Sequence, residues 1–427
     1  MTLSSHLHSY IAKYLSLYIR PGDSLTEINP SDESLAVHFP EHRTEANVNE
    51  LRGCKPTKYY LLNAGVHREK DIQKLLEKIH EAISADARLI ITFYSALWRP
   101  LVKLATKLKL RAKLPEENWV TPDDLANLLC LTNFEPVRMD SKVLCPIYIP
   151  VLSGLVNRWL APLPGFRIFN MVNLLIARPL LKTDPGMRPS VSVIVAARNE
   201  SGNIDNILRR CPKMGPDDEL IFVEGNSTDD TWQKICDATE KYKGPLKIIT
   251  ARQDGKGKGD AVRKGFSLAT KDILMILDAD LTVPPEDLPK FYNAIAKGKG
   301  EFINGSRLVY PMEKEAMRFF NILGNKFFAT AFSFVLNQKF KDTLCGTKVL
   351  TRENYLRLAA SRSYFGEFDP FGDFDLIFGA ARLGLKIVEV PIRYRERTYG
   401  DTNIQRWKHG LILLQMLMFA ARKIKFI

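Results

Sequence analysis

Asp278 and Asp280 stand one residue apart at the end of the apolar run Ile273-Leu-Met-Ile-Leu277, and no other pair in the chain is better suited to a divalent cation. Mn2+ or Mg2+ prefers carboxylate oxygens and takes phosphate oxygens and water in its remaining positions. If the run is a buried strand that continues through Asp280, alternate side chains leave it on the same side and the two carboxylates converge. A nucleoside diphosphate would complete the coordination. The alternative is that Asp-Ala-Asp merely ends a strand, so the choice rests on what else lies at the strand ends.

Ser190 to Ala197 is a β-branched run without polar alternation, as expected of a strand covered on both faces. It delivers Arg198-Asn199-Glu200 at its C-terminal end, where open α/β sheets hold their ligands. A second strand, Glu219 to Val223, leads to Glu224-Gly-Asn226-Ser-Thr-Asp-Asp-Thr231, acidic and small residues suited to a ribose or base edge and to a helix cap. A third, Leu246 to Ala251, leads to Gly255-Lys-Gly-Lys258-Gly-Asp260, a basic glycine loop opening a helix, where backbone amides and the helix dipole favour a phosphate. Gly305-Ser306-Arg307 follows the acidic pair.

In this order the motifs resemble the nucleotide-sugar half of glycosyltransferase family 2, with its GT-A fold, and within it the dolichyl-phosphate mannose synthase group, from about Pro189 to the C-terminus. The resemblance implies that Ala197, Arg198, Glu200, Glu224 and Asn226 lie against the nucleoside, Lys258 and Asp260 near base or phosphate, and Asp278 and Asp280 on the metal. It sets Arg307 toward the sugar diphosphate or an acceptor phosphate. Two departures stand out: Glu224-Gly225 replaces a pair of acids, and Thr282 stands where a Gln often ligates the metal.

The acceptor half carries Asp342-Thr-Leu-Cys-Gly346-Thr-Lys348, similar to the group's acceptor loop, and Gly372-Asp373-Phe-Asp375, similar to its Glu-Asp motif with the first acid lost. Asp373 matches the general-base position. The competing role for it, and still more for Asp375, is to stabilise the dipole of the helix expected over Phe374 to Leu383. Arg393, Arg395 and Arg397 follow a short strand at Ile387 to Pro391. Arg397 matches a phosphate-holding Arg of the lipid-phosphate branch, and Asn403 replaces a Lys; Arg395 joins the expected acceptor set.

The chain has 427 residues, 45% of them apolar, enough for two or three domains, and a formal charge of +13 that favours an anionic partner. Six cysteines form no metal-like pair and suit a reducing cytosol. No apolar run reaches the ~18 residues of a span. The basic, apolar segment from Gly410 to Ile427 is expected either to lie as an amphipathic helix in a headgroup layer or to pack on the domain. Phe319 to Leu336 is a second hydrophobic candidate.

Residues 1 to 184 read as another α/β unit: strands at Tyr59 to Asn63, Arg88 to Phe93 and Asn173 to Ala177, a helix with an Ile72, Leu75, Leu76, Ile79, Ile83 stripe, and a helix start at Thr121-Pro122. The pattern resembles the later half of a class I S-adenosylmethionine-dependent methyltransferase. The segment around Glu27 lacks the glycines of a cofactor loop, and too few residues precede Tyr59 for two further βα units. The expected fold is therefore α/β in two domains: a shortened, non-catalytic, Rossmann-like methyltransferase-type domain (1–184), a linker (185–189), and a GT-A domain (190–427) ending in the amphipathic helix.

The expected activity is metal-dependent, inverting transfer of a sugar from a UDP- or GDP-linked donor to a membrane-associated acceptor, polyprenyl phosphate first, by a protein peripheral on the cytoplasmic face of the membrane. Two alternatives stay open: a hydroxyl acceptor in cell-surface polysaccharide assembly, which would need Asp373 as base, and a non-catalytic scaffold binding nucleotide sugar or lipid. Nucleic-acid binding is not expected, since the basic residues gather around the acidic motif instead of forming stripes interleaved with aromatics.

Overall fold

The computed structural model describes residues 3–30, 35–39, 43–108, 118–180, 188–310, 319–364, 372–397, 399 and 406–427. They fall into two compact units, Met1–Lys182 with Ala421–Ile427, and Thr183–Ala420. The C-terminal seven residues thus group with the first unit, whereas the sequence places them in the domain over 190–427. Lys425 there is fully buried, 3.8 Å from Asp140, and so unavailable to lipid headgroups.

The first unit is built on strands β1 (Leu25–Ile28), β2 (Arg43–Ala46), β3 (Tyr59–Asn63), β4 (Arg88–Tyr94), β5 (Phe134–Lys142) and β6 (Val172–Pro179), ordered β2-β1-β3-β4-β6-β5. The first four run parallel, and β6 runs antiparallel to both β4 and β5. The helix Ile72–Ala82 buries Ile72, Leu75, Leu76 and Ile79 as its 3.6-residue stripe predicts, and Asp71 caps it by accepting from the Lys74 amide. Thr121 and Asp124 close a reciprocal capping box on the helix Pro122–Leu131. Sequence reading missed β2 and β5: the first is only four residues long, and the second carries the charged positions Glu135, Arg138 and Asp140, two of them buried.

The second unit holds β7 (Val191–Ala197), β8 (Glu219–Glu224), β9 (Lys247–Arg252), β10 (Ile273–Ile276), β11 (Phe302–Ser306), β12 (Lys348–Thr351) and β13 (Ile387–Pro391). Their order is β13-β11-β12-β10-β7-β8-β9, with β12 antiparallel between β10 and β11 and the rest parallel. Val191, Val193 and Val195 pack with Leu220, Phe222 and Met275 into one core, the burial that a β-branched run without alternation requires. The helix Lys258–Leu268 comes close to this sheet at Gly265, where a Cβ would stand 2.4 Å from Ile194 Cγ2. The chain runs out from β7 to β8 and β9 on one side, then returns to place β10 on the other. Such a reversal opens a crevice at the strand C-termini.

One expectation changes in its physics. β10 ends at Ile276, two residues before Asp278, so strand pleating does not aim Asp278 and Asp280. They lie in a turn closed by the Leu281 amide on the Asp278 carbonyl, with Leu281 at φ +56°.

Arg307, just beyond β11, is held by Asp342 through Nε at 2.6 Å and Nη2 at 2.8 Å. Asp342 also accepts from Asn325 of the helix Phe319–Leu336 at 2.9 Å and is itself fully buried. The arginine outweighs burial and holds the Asp342 carboxyl down at about 2. This pair ties the end of β11, that helix and the loop leading to β12. Removing one partner leaves the other charge buried alone, so Asp342→Ala is expected to lower stability by about 3–5 kcal/mol. Denaturant midpoints at unchanged slope measure it; a loss under 1 kcal/mol would show the pair to be dispensable.

Candidate functional site

The strand ends of the second unit bring the expected residues into one network of acids and bases. Asn199, at φ +55°, receives the Thr228 amide on its Oδ1 at 2.8 Å, while its own amide donates to Ser227 Oγ. Glu224 at the end of β8 accepts the Ser227 amide, and Asn226 donates to the Gly255 carbonyl at 3.1 Å. Asp260 accepts the Gly255 amide at 2.8 Å, so this carboxylate closes the glycine-lysine loop from inside. Ala197 is buried, whereas Arg198 beside it is exposed. These contacts preform a rim at the ends of β7, β8 and β9.

Asp278 and Asp280 each meet a cation of the chain itself. Lys258, the first residue of its helix, sets Nζ 2.6 Å from Asp278 Oδ1. Burial pushes the Asp278 carboxyl up, but the ammonium outweighs it and holds the group below the usual range; Lys258 is correspondingly raised. Asp280 Oδ2 accepts from Arg397 Nη2 at 2.9 Å, and the same nitrogen lies 3.2 Å from Glu200 Oε1. Asp280 Oδ1 accepts from the Thr282 hydroxyl at 2.8 Å and from its amide at 3.1 Å. Thr282 therefore orients Asp280 as a donor.

Gly346 closes the other side. A Cβ there would stand 2.0 Å from Asp278 Oδ2 and 2.5 Å from Lys258 Nζ, so only glycine lets this loop approach the carboxylate. Lys348, fully buried at the start of β12, donates to the Cys345 carbonyl and lies 3.4 Å from Asp373 Oδ1. Asp373 precedes the helix Phe374–Arg382 but makes no side-chain cap, and its Oδ1 accepts no hydrogen bond. Asp375 lies instead between Arg263 at 3.8 Å and Arg362 at 3.6 Å. Of the remaining expected residues, Arg307 is committed to Asp342, and Arg395 is exposed with its amide on the Thr282 carbonyl. Asn403 lies outside the described residues.

Among the described residues no third His, Cys, Asp or Glu joins Asp278 and Asp280 in a metal-binding group. The donor set is of the kind a hard cation takes: two carboxylates stand two positions apart in one turn, and Lys258 already places a positive charge at one of them. Sequence reading missed the mutual roles of Arg397, Glu200 and Thr282, because each depends on a partner brought close only by folding.

Glu200 is the titrating member of this network. Burial raises its carboxyl to about 7 against the opposing pull of Arg397. The folded protein then holds a proton here that the unfolded chain gives up at its ordinary value of 4.5. The stability contributed is fully present below that value and is lost as pH rises through about 7. Glu200→Gln removes the term, so the difference in unfolding free energy between wild type and variant is expected to slope between these limits and level off above them. Chemical unfolding across pH 4 to 8.5 checks this, and a pH-independent difference would refute it.

The model of the family described as "Glycosyl transferase family 2" matches residues 192–357. Dolichol-phosphate mannosyltransferase of Pyrococcus furiosus is 31% identical over 221 residues, covering 50% of this chain and 59% of the relative. Glycosyltransferase AglJ of Haloferax volcanii is 29% identical over 236 residues, covering 55% and 72%. This chain thus spans about three fifths of the first relative's length. Among solved structures, glucosyl-3-phosphoglycerate synthase of Mycobacterium tuberculosis, in complex with Mn2+, UDP and glucosyl-3-phosphoglycerate, is 17% identical over 55% of this chain and 80% of that one, with a TM-score of 0.38. The chain carries a family 2 glycosyltransferase domain over residues 192–357.

Proposed function

We propose that the protein is an inverting hexosyltransferase of GT-A fold that moves a sugar from a UDP- or GDP-linked donor to a polyprenyl phosphate at the cytoplasmic face of a membrane. The observation that carries this reading is the pairing of Asp278 and Asp280 with Lys258 and Arg397 at the strand ends of a family 2 domain. The names of two relatives, dolichol-phosphate mannosyltransferase and undecaprenyl-phosphate 4-deoxy-4-formamido-L-arabinose transferase, support a lipid phosphate acceptor. No described helix is long and apolar enough to cross a membrane, which is compatible with peripheral contact. The first unit is read as a shortened methyltransferase-type domain; the turn after β1 runs Asn29-Pro30 without a glycine loop, so no methyl transfer is assigned to it.

The donor's nucleoside lies along Ala197 to Glu200, Glu224 and Asn226, with its diphosphate toward Lys258. Asp278 and Asp280 would hold a divalent ion, which when bound would supply charge stabilisation for the departing diphosphate. Lys258 and Arg397 are then drawn from carboxylate to phosphate, where their charge offsets what develops on the leaving group. The acceptor enters on the Gly346 and Lys348 side and attacks the anomeric carbon opposite the leaving oxygen. A phosphate acceptor arrives already ionised. Arg395 orients it, Lys348 stays buried beside Asp373, and Asp373 need not take a proton.

A hydroxyl acceptor is the second reading, favoured by one observation: Asp373 Oδ1 accepts no hydrogen bond and does not cap its helix. Asp373→Asn separates the two. Donor binding should survive in either case, but turnover is expected to fall by ~100-fold or more with a hydroxyl acceptor and to stay near normal with polyprenyl phosphate. Transfer assays with radiolabelled UDP- and GDP-sugars on both acceptors measure it; no transfer to either by the unaltered protein would refute the activity.

Because Lys258 sits on Asp278, it competes with any divalent ion until a diphosphate draws it away. Lys258→Met is therefore expected to tighten Mn2+ binding roughly tenfold in the absence of nucleotide, the scale of one lost competing charge contact. Asp280→Asn should abolish Mn2+ binding with or without UDP or GDP. Titration calorimetry reads both, and unchanged Mn2+ affinity in Asp280→Asn would overturn the metal assignment.

A further inference from the structure

The first unit carries an unusual surface in its own right. Four large apolar side chains in residues 97–108 and eleven in 147–169 are exposed, more than half of all such residues among those described. Sheet register sets the two segments side by side. Val172 at the start of β6 pairs with Tyr94 at the end of β4 and with Lys142 at the end of β5, so the chain leaving β4 and the chain joining β5 to β6 emerge at one end of the sheet. Trp98 Nε1 donates to the Phe169 carbonyl at 2.9 Å and ties them together.

Their outward apolarity is built in. In the helix Arg99–Lys107 and its flanks, Leu97, Leu101, Leu104 and Leu108 recur every three or four residues and point to solvent, while Val102 alone is buried. In the second segment the polar side chains turn inward: buried Asn157 clamps the amide and carbonyl of Cys145 at 2.8 Å each, and buried Asn170 holds the carbonyls of Ser141 and Ala161. Val151, a β-branched residue at φ +64°, is 79% exposed at the tip of this fold. An ordinary surface loop shows the reverse arrangement, with polar side chains outward. Contiguous exposed apolar area of this extent marks an interaction surface.

Charge selects the partner. Residues 95–108 and 143–171 contain no Asp or Glu, and their exposed cations are Arg99, Lys103, Lys107 and Arg158. Tyr148 and Trp159 are exposed among them, the residue types that favour the boundary between headgroups and acyl chains. A short helix with leucines on one face and lysines on its flank lies in the plane of such a boundary. We propose that this end of the first unit's sheet is a monotopic membrane-binding surface for an anionic bilayer, the leucines, Val151 and Trp159 entering the lipid while the four cations sit among headgroups. The surface belongs to the first unit, where Trp159 also stacks on Phe426, and it is independent of the acceptor assigned above, since a soluble acceptor would leave it unchanged.

The experiment is flotation of the full chain with phosphatidylcholine vesicles, with and without phosphatidylglycerol. Leu101→Ser/Leu104→Ser and Val151→Ser/Ile168→Ser change side chains that are more than half exposed, and unaltered melting curves confirm their folding. The unaltered chain is expected to float with anionic vesicles, less so at high salt, and each double variant to lose about tenfold or more in partition. Leu411→Ser/Leu414→Ser in the second unit should float as the unaltered chain does. Full flotation of the two first-unit variants, loss only in the C-terminal variant, or no flotation of any chain would overturn the proposal. So would light scattering that shows a dimer which these substitutions dissolve without vesicle binding, for the surface would then join two copies of the chain.

Discussion

Acids crowded at the end of a sheet must be neutralised from within. Glu200, Asp278, Asp280 and Asp373 all gather at one crevice of the second unit, and in a low-dielectric site such charges cannot stand together unpaired. Lys258, Arg397 and Lys348 balance three of the four, one cation reaching in from each of three segments, and the proton that burial keeps on Glu200 up to about pH 7 accounts for the fourth. The arrangement explains why the glycine-lysine loop turns back on its own Asp260, why Gly346 has no side chain, and why Thr282 turns its hydroxyl toward Asp280. Each of these features lets a cation and a carboxylate come close in a space that an extra atom would fill.

The same pairing gives the site its chemistry. Under the proposed function, a site so balanced would admit a nucleoside diphosphate by exchanging partners, the phosphates taking the bases and a divalent ion the acids. Arg307 differs from the others. Bound bidentately to a fully buried Asp342, it acts as a brace that holds β11, the helix Phe319–Leu336 and the loop leading to β12 together. In this way a fixed ion pair supports exchangeable ones.

The first unit obeys a different constraint. Its core is closed by ordinary means, with capped helices and a buried sheet, yet one end of that sheet keeps its polar side chains inside and its apolar ones outside. Water alone would not stabilise such a surface. Its balance is met when a lipid boundary takes the leucines and accepts the lysines beside them.

How much was legible in the sequence depended on the range of the signal. β7, β8 and β10, the helix stripe at Ile72 to Ile79 and the glycine-lysine loop could all be located because β-branched runs, 3.6-residue spacing and turn residues act over a few neighbours. The order of motifs after the strands likewise pointed to the family domain over residues 192–357. Only tertiary structure decided what those residues do to one another. Arg397 meets Asp280 across 117 positions and Arg307 meets Asp342 across 35, and no local pattern encodes such a choice. The turn after Ile276, not the pleat of a strand, aims the two aspartates. Composition also could not tell which leucines face water, because an apolar period reads alike whether its stripe is turned to a core or to a membrane; the neighbours that fold against it decide.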